Sequence, residues 1–179
     1  GFIVAVPTAL HADVIEGLLA SGRPIYVEKP LTDSPARARE IARRCGRRNL
    51  FVMEKWRHHP GVQALRQIAE SGELGAVRGL RTTRVQWNQP HADVDSIWTL
   101  APHDLSIACT ILGKLPEPRW AASEGFRESG EGLVAVFGQD PWFVMEISTI
   151  HPQTRREVRL VCEHGLAILD DPLGDHVKI

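Results

Sequence analysis

Three short apolar runs alternate with two helical patterns in the first 53 residues. The runs at 2–6, 25–27 and 50–53 have the length of buried strands. Ser34 suits the N-cap of the second helix, and Pro35 suits its first position. Strand–helix repeats with short links predict parallel strands joined by right-handed crossovers. Because the pattern opens inside an apolar strand, we expect residues 1–53 to be the C-terminal half of an open α/β domain.

The pattern of apolar and polar residues changes after residue 53. We expect a helix at 60–71, an alternating strand at 77–87, a polar loop at 88–97 and a helix at about 102–112. Gly, Pro, Asp and Ser separate the strand-like runs that follow, in the manner of an antiparallel meander: 118–124, 132–138, 142–150, 156–163 and 165–170. Residues 54–179 are therefore predicted to form an α+β domain with a large, mainly antiparallel open sheet. A cleft is expected between the two domains.

Composition excludes several classes of function. A formal net charge of -1 builds no positive field for a nucleic-acid backbone. No apolar stretch approaches the roughly 20 residues that a bilayer crossing needs. The cysteines are odd in number, widely separated and without a CxxC spacing: Cys45, Cys109 and Cys162. We therefore predict a cytoplasmic protein with neither nucleic acid nor membrane as partner.

Glu28-Lys29-Pro30 follows the second apolar run directly. Open α/β sheets place their ligands at the carboxyl ends of strands. Pro30 favours an extended backbone at Lys29, so the ammonium can be held forward and can stabilise a developing alkoxide. The alternative is a solvated lysine at the end of a strand.

His103 stands in the segment from Trp98 to Asp104, where Pro102 suits the first position of a helix. The imidazole is then expected in the first turn. A helix N-terminus disfavours the imidazolium form, which keeps a neutral base available for a hydroxyl proton. The alternative is a capping or surface histidine.

Other patterns carry weaker signals. The histidines that invite a metal interpretation lack the spacing that places two ligands on one side of a metal: His58, His59, His91 and His103. We predict no metal site. Arg57 beside Trp56 could clamp a phosphate or carboxylate, or could cover the indole ring with its stem.

Five segments occur in the order and spacing of one family: Val4-Ala-Val-Pro-Thr-Ala-Leu-His11, Val27-Glu-Lys-Pro-Leu31, Trp56-Arg-His-His-Pro60, Gly72-Glu-Leu-Gly75 and Pro102-His-Asp-Leu-Ser106. The chain resembles the Gfo/Idh/MocA oxidoreductases from residue 1 to about 170. The resemblance implies a partial Rossmann domain followed by an α+β domain whose sheet mediates homo-oligomers. It also implies NAD or NADP as cofactor and a sugar, polyol or nucleotide sugar as substrate.

The resemblance also implies site residues. Lys29 and His103 match the catalytic pair. The cofactor is expected to contact Pro7, Thr8, His11, Glu28, Lys29, Pro30 and Arg57. The substrate is expected to contact Lys29, Trp56, Thr99 and His103.

Two departures from the family pattern affect activity. Thr99 stands where members commonly carry an aspartate four residues before the histidine, and it offers only a neutral hydroxyl. No glycine-rich turn follows a strand and opens a helix, so the pyrophosphate cradle is lacking. We expect an active full-length oxidoreductase of which these 179 residues alone are inactive. The alternatives are a non-catalytic binding or dimerisation protein and a metal-assisted lyase or hydrolase using the loop histidines.

Overall fold

The computed structural model describes residues 1–45, 49–88, 95–125, 130–171 and 173–179. The chain divides into two compact units. One comprises Gly1–Glu54, and the other comprises the described residues from Lys55 onward. Within the described ranges, every helix falls short of the length and apolarity that a bilayer crossing requires.

The first unit is a three-stranded parallel sheet in the order β1-β2-β3, with one helix between each pair of strands. Its elements are β1 (Phe2–Val4), α1 (Thr8–Leu18), β2 (Ile25–Val27), α2 (Pro35–Cys45) and β3 (Leu50–Val52). The predicted α/β pattern is confirmed. Helix α2 begins at Pro35 as predicted, and the Arg37 N–H donates to Ser34 Oγ over 3.4 Å. Gly46, the predicted end of this helix, lies outside the described residues.

Both helices of this unit cover the same face of the sheet. Ile15 from α1 and Ile41 from α2 pack against Val4, Ile25 and Val27 in one buried cluster. Side chains alternate along a strand, so the residues between these strand positions point to the opposite face. That face is exposed and carries a paired row of Ile3, Tyr26 and Phe51.

The second unit is built on a six-stranded sheet in the order β5-β6-β7-β4-β8-β9. Its helices and strands are α3 (Pro60–Ser71), β4 (Val77–Trp87), α4 (Ser96–Leu112), β5 (Pro118–Glu124), β6 (Gly132–Gly138), β7 (Trp142–Ser148), β8 (Ile150–Cys162) and β9 (Leu166–Leu169). A short 3-10 helix, Lys55–His58, precedes α3. Helices α3 and α4 join the sheet in one apolar core.

The mainly antiparallel sheet is confirmed, but the simple meander is wrong in one respect. Strand β4 lies between β7 and β8 and pairs parallel with β7. Leu80 and Thr82 of β4 are completely buried under the helices. A strand with this much buried surface is favoured at the centre of the sheet, which local alternation alone cannot reveal.

The predicted start of α4 is also wrong. The helix begins at Ser96, and the Asp95 side chain caps it by accepting the Trp98 N–H over 2.9 Å. Pro102 lies inside the helix rather than at its first position. His103 is therefore in the third turn, where the dipole argument for a neutral imidazole no longer applies, because that effect is confined to the first turn. Of the predicted 88–97 loop, residues 89–94, including His91, lie outside the described residues.

Candidate functional site

The first unit brings together the two segments that the resemblance assigns to the cofactor. Pro7 and Thr8 follow β1, and Glu28-Lys29-Pro30 follows β2, so both stand at the carboxyl edge of the parallel sheet. Lys29 is partly exposed, and its backbone N–H donates to Glu28 Oε2 over 3.2 Å. The peptide bond between Lys29 and Pro30 is cis.

His11 connects these two segments. Its side chain is buried, with Nδ1 2.9 Å from the Pro30 carbonyl oxygen and Nε2 2.9 Å from the Val6 carbonyl oxygen. A neutral imidazole donates to one of these carbonyls, and an imidazolium donates to both. The ring is thus engaged with backbone on both sides. Its geometry is that of a positioning residue for the Lys29-Pro30 segment.

The second unit carries the residues assigned to proton transfer and substrate. His103 and Thr99 lie one turn apart on α4, and both are buried. Thr99 Oγ1 donates to the Asp95 carbonyl oxygen over 2.9 Å, within its own helix. This bond directs the hydroxyl to the helix backbone, whereas a carboxylate at the same position would have only acceptors to offer.

Trp56 and Arg57 are neighbours in the 3-10 helix with opposite environments. Trp56 is buried in the core and Arg57 is exposed. The guanidinium that stacks on the indole belongs to Arg84, whose Cζ lies 4.7 Å from the ring centroid. His59 stacks on the same indole, with ring centroids 5.0 Å apart.

Sequence reasoning missed a buried ion pair next to His103. Arg84 Nε of β4 lies 2.6 Å from Asp104 Oδ2 of α4, and the two side chains are only 5% and 1% exposed. This ion pair joins the turn of α4 that carries His103 to strand β4 of the sheet. Because Arg84 also stacks on Trp56, the same contacts extend to the 3-10 helix. The available signal was Asp104 itself, a carboxylate among the buried apolar residues of a helix, because such groups require a cationic partner.

The titratable residues that the structure describes do not gather into a metal site. Among the described residues, no group of three or more His, Cys, Asp and Glu side chains could hold an ion. His91 lies outside that set. All three cysteines are free thiols, and burial raises the pKa of each.

A parallel α/β unit with a lysine at a strand end, followed by a sheet covered by helices on one face, defines a Rossmann-type two-domain architecture. Residues 2–55 match the family model described as "Oxidoreductase family, NAD-binding Rossmann fold", that of Gfo/Idh/MocA. The resemblance to the Gfo/Idh/MocA oxidoreductases that the motifs predicted is confirmed by this match. The description of this family model as NAD-binding agrees with the nicotinamide cofactor predicted from the sequence.

Relatives match over nearly the whole chain. Trans-1,2-dihydrobenzene-1,2-diol dehydrogenase from Bos taurus is 30% identical, covering 90% of this chain and 52% of the relative. Inositol 2-dehydrogenase from Pseudomonas fluorescens is 25% identical, covering 92% of this chain and 49% of the relative. The chain thus spans about half the length of these curated relatives.

Solved structures share the fold. The WlbA dehydrogenase from Bordetella pertussis, crystallised with NADH and UDP-GlcNAcA, superposes with a TM-score of 0.80. It is 16% identical, and the match covers 93% of this chain and 54% of WlbA. The predicted combination of a Rossmann-type unit and a large open sheet is confirmed.

Proposed function

We propose that the protein acts as a dehydrogenase that transfers a hydride between NAD or NADP and a carbon of a sugar, polyol or nucleotide sugar. The observation that carries the proposal is the placement of Lys29 at the carboxyl end of β2, in a segment that His11 joins to the Pro7-Thr8 turn. The names of the bovine and Pseudomonas relatives specify a cyclic diol and inositol. Both are rings with neighbouring hydroxyl groups, which supports a polyol substrate.

In this proposal each catalytic residue has one role. His103 accepts the hydroxyl proton of the alcohol, and the Lys29 ammonium stabilises the alkoxide as its C–H bond breaks. A bound nicotinamide would supply the hydride acceptor, and alcohol and oxidised cofactor would become carbonyl compound, reduced cofactor and a proton. Thr99 and Trp56 are assigned to the substrate.

We propose that the residues at this sheet edge hold the nicotinamide end of a dinucleotide. Pro7, Thr8, Glu28 and Pro30 belong to one sheet edge, where open α/β sheets bind their ligands, and Arg57 is exposed. The 179 residues hold no glycine-rich turn between a strand and a helix to receive the pyrophosphate. We therefore propose that turnover requires such a unit in addition to these residues.

A chimera tests this function. The N-terminal part of the bovine relative, up to the residue that aligns with Gly1, is joined to this chain, and nicotinamide absorbance is followed with inositols, aldoses and nucleotide sugars. We expect turnover of at least one class by the chimera and none by the chain alone. Failure of a correctly folded chimera with every class would count against the proposal, and turnover by the chain alone would contradict the need for the added unit.

Besides its small-molecule substrate, we propose that the protein binds a second copy of itself through the large sheet. The sheet face opposite α3 and α4 carries a paired row across all six strands: Trp120, Val136, Val144, Arg81, Arg159 and Ile168. Charges of both signs lie on this face, including Arg81 with Glu146 and Arg159 with Glu157. A two-fold interface must complement itself, which this mixture of signs allows.

Light scattering tests the interface. We expect a dimer or larger assembly for the wild type and a monomer for Trp120→Glu, because Trp120 is 57% exposed on this face. Leu173→Glu, which also replaces an exposed apolar residue, is the control and should leave the assembly intact. A monomeric wild type would refute the interface.

The three free thiols favour a reducing, cytoplasmic location for the protein.

A further inference from the structure

Two arginines face each other beneath the helices of the second unit. Arg84 of β4 and Arg156 of β8 are directly paired in the antiparallel register. They share the face of Leu80 and Leu160, which form part of the core. Asp104 forms an ion pair with Arg84, and no ion pair joins it to Arg156 among the described residues. Like charges directly opposite each other in a sheet repel, so a second anion beside the two arginines would stabilise them.

Donors around this pair also lack acceptors. Trp56 Nε1 and Arg156 Nε are buried and have no hydrogen-bond partner among the described residues. Arg156 Nη2 reaches Gln86 Oε1 only at 3.5 Å. Burial lowers the pKa of Arg156, and Arg84 lowers it further, while Asp104 acts in the opposite direction. Buried donors in proteins are normally satisfied, so unpaired ones indicate a missing acceptor.

A small, partly open cavity adjoins these groups. Trp56, Arg84 and Arg156 contribute to its lining, with Val158 and Leu169 on the apolar side. Glu157 also lines it, but its carboxylate is engaged by Arg155 and Arg159 over 2.6 and 2.8 Å.

We propose that Arg84, Arg156 and the indole N–H of Trp56 form a binding site for an oxyanion, either a carboxylate or a phosphate group. Guanidinium groups recognise both through paired N–H donors. If the oxyanion is part of a substrate, the substrates of the proposed dehydrogenase are acidic or phosphorylated sugars. Only this inference about the substrate rests on the proposed function. A free inorganic anion is the other source.

Thermal unfolding of the chain titrated with inorganic phosphate, glucuronate and glucose tests the site, with chloride at matched ionic strength as reference. A ligand that binds the folded state raises the midpoint with concentration. We expect phosphate or glucuronate to raise it, and glucose and chloride to leave it unchanged. Arg156→Gln should weaken the apparent affinity at least tenfold. Arg155→Gln, one residue along the strand and on the opposite face, should not.

The experiment distinguishes a variant that fails to fold from one that folds but no longer binds the anion. Arg156→Gln removes a partly buried charge that stands opposite Arg84, so its unfolding midpoint without anion should equal or exceed that of the wild type. A larger response to glucuronate than to phosphate identifies a substrate group, and the reverse identifies a free ion. No anion response, or an equal one in Arg156→Gln, would overturn the site. This assay needs no cofactor, so a chimera without turnover would contradict the proposed function without affecting the evidence for the anion site.

Discussion

His103→Asn in the active chimera is expected to lower kcat by about 10²–10⁴-fold, the usual contribution of a positioned general acid or base. Asparagine retains a polar group of similar reach but cannot take up the hydroxyl proton. His103 is buried on α4 and its neighbour Asp104 is anchored by Arg84. The substitution should therefore leave the fold and cofactor affinity intact. Steady-state kinetics and NADH fluorescence titration separate the two effects.

A matched control is available at the C-terminal end of the chain. The His176 side chain is 96% exposed, and His176→Asn should change neither kcat nor NADH binding. A His103→Asn chimera with wild-type kcat would remove His103 from the chemistry. A variant that loses kcat and NADH binding together would instead indicate a structural role. Lys29→Met gives an independent check, because it removes the other proposed catalytic charge without touching α4.

Local patterns were sufficient for the elements whose signals lie within a few residues. Helix α3 has its predicted bounds because Pro60 opens it and Gly72 ends it with a φ of 69°. The helix at Pro35 was likewise set by a local Ser-Pro signal. The start of α4 was missed because two N-terminal signals compete: Asp95 caps the helix, while Pro102 suits a first position but is tolerated inside it.

Pairings between distant residues could not be predicted from the sequence. The position of β4 between β7 and β8 depends on which strands share the helix-covered core, not on alternation within one strand. The partner of Asp104 lies 20 residues away, and the residue opposite Arg84 in the sheet is far along the chain at Arg156. Motif matching named His11, but only the structure shows its ring held between two backbone carbonyls.

The Arg84–Asp104 pair gives the largest expected change in stability. Asp104→Asn keeps the shape of the side chain but leaves the Arg84 guanidinium buried without a countercharge, and Arg156 stands opposite. Removing one partner of a buried pair destabilises proteins by about 3–5 kcal/mol. We expect a loss of this size in the free energy of unfolding. Urea unfolding followed by tryptophan fluorescence measures it, because all five tryptophans belong to the second unit.

Asp140→Asn is the matched control, since it removes the same charge from an exposed pair of the same unit. Asp140 lies 3.4 Å from Arg78 with its side chain 66% exposed, and exposed pairs contribute about 0–1 kcal/mol. The Arg156→Gln background adds a second test. With the opposing arginine gone, Asp104→Asn should be less destabilising, because only one buried cation then lacks a partner. Equal losses in both backgrounds would show that Arg156 does not act on the pair. Equal losses for Asp104→Asn and Asp140→Asn would show that burial does not strengthen the pair.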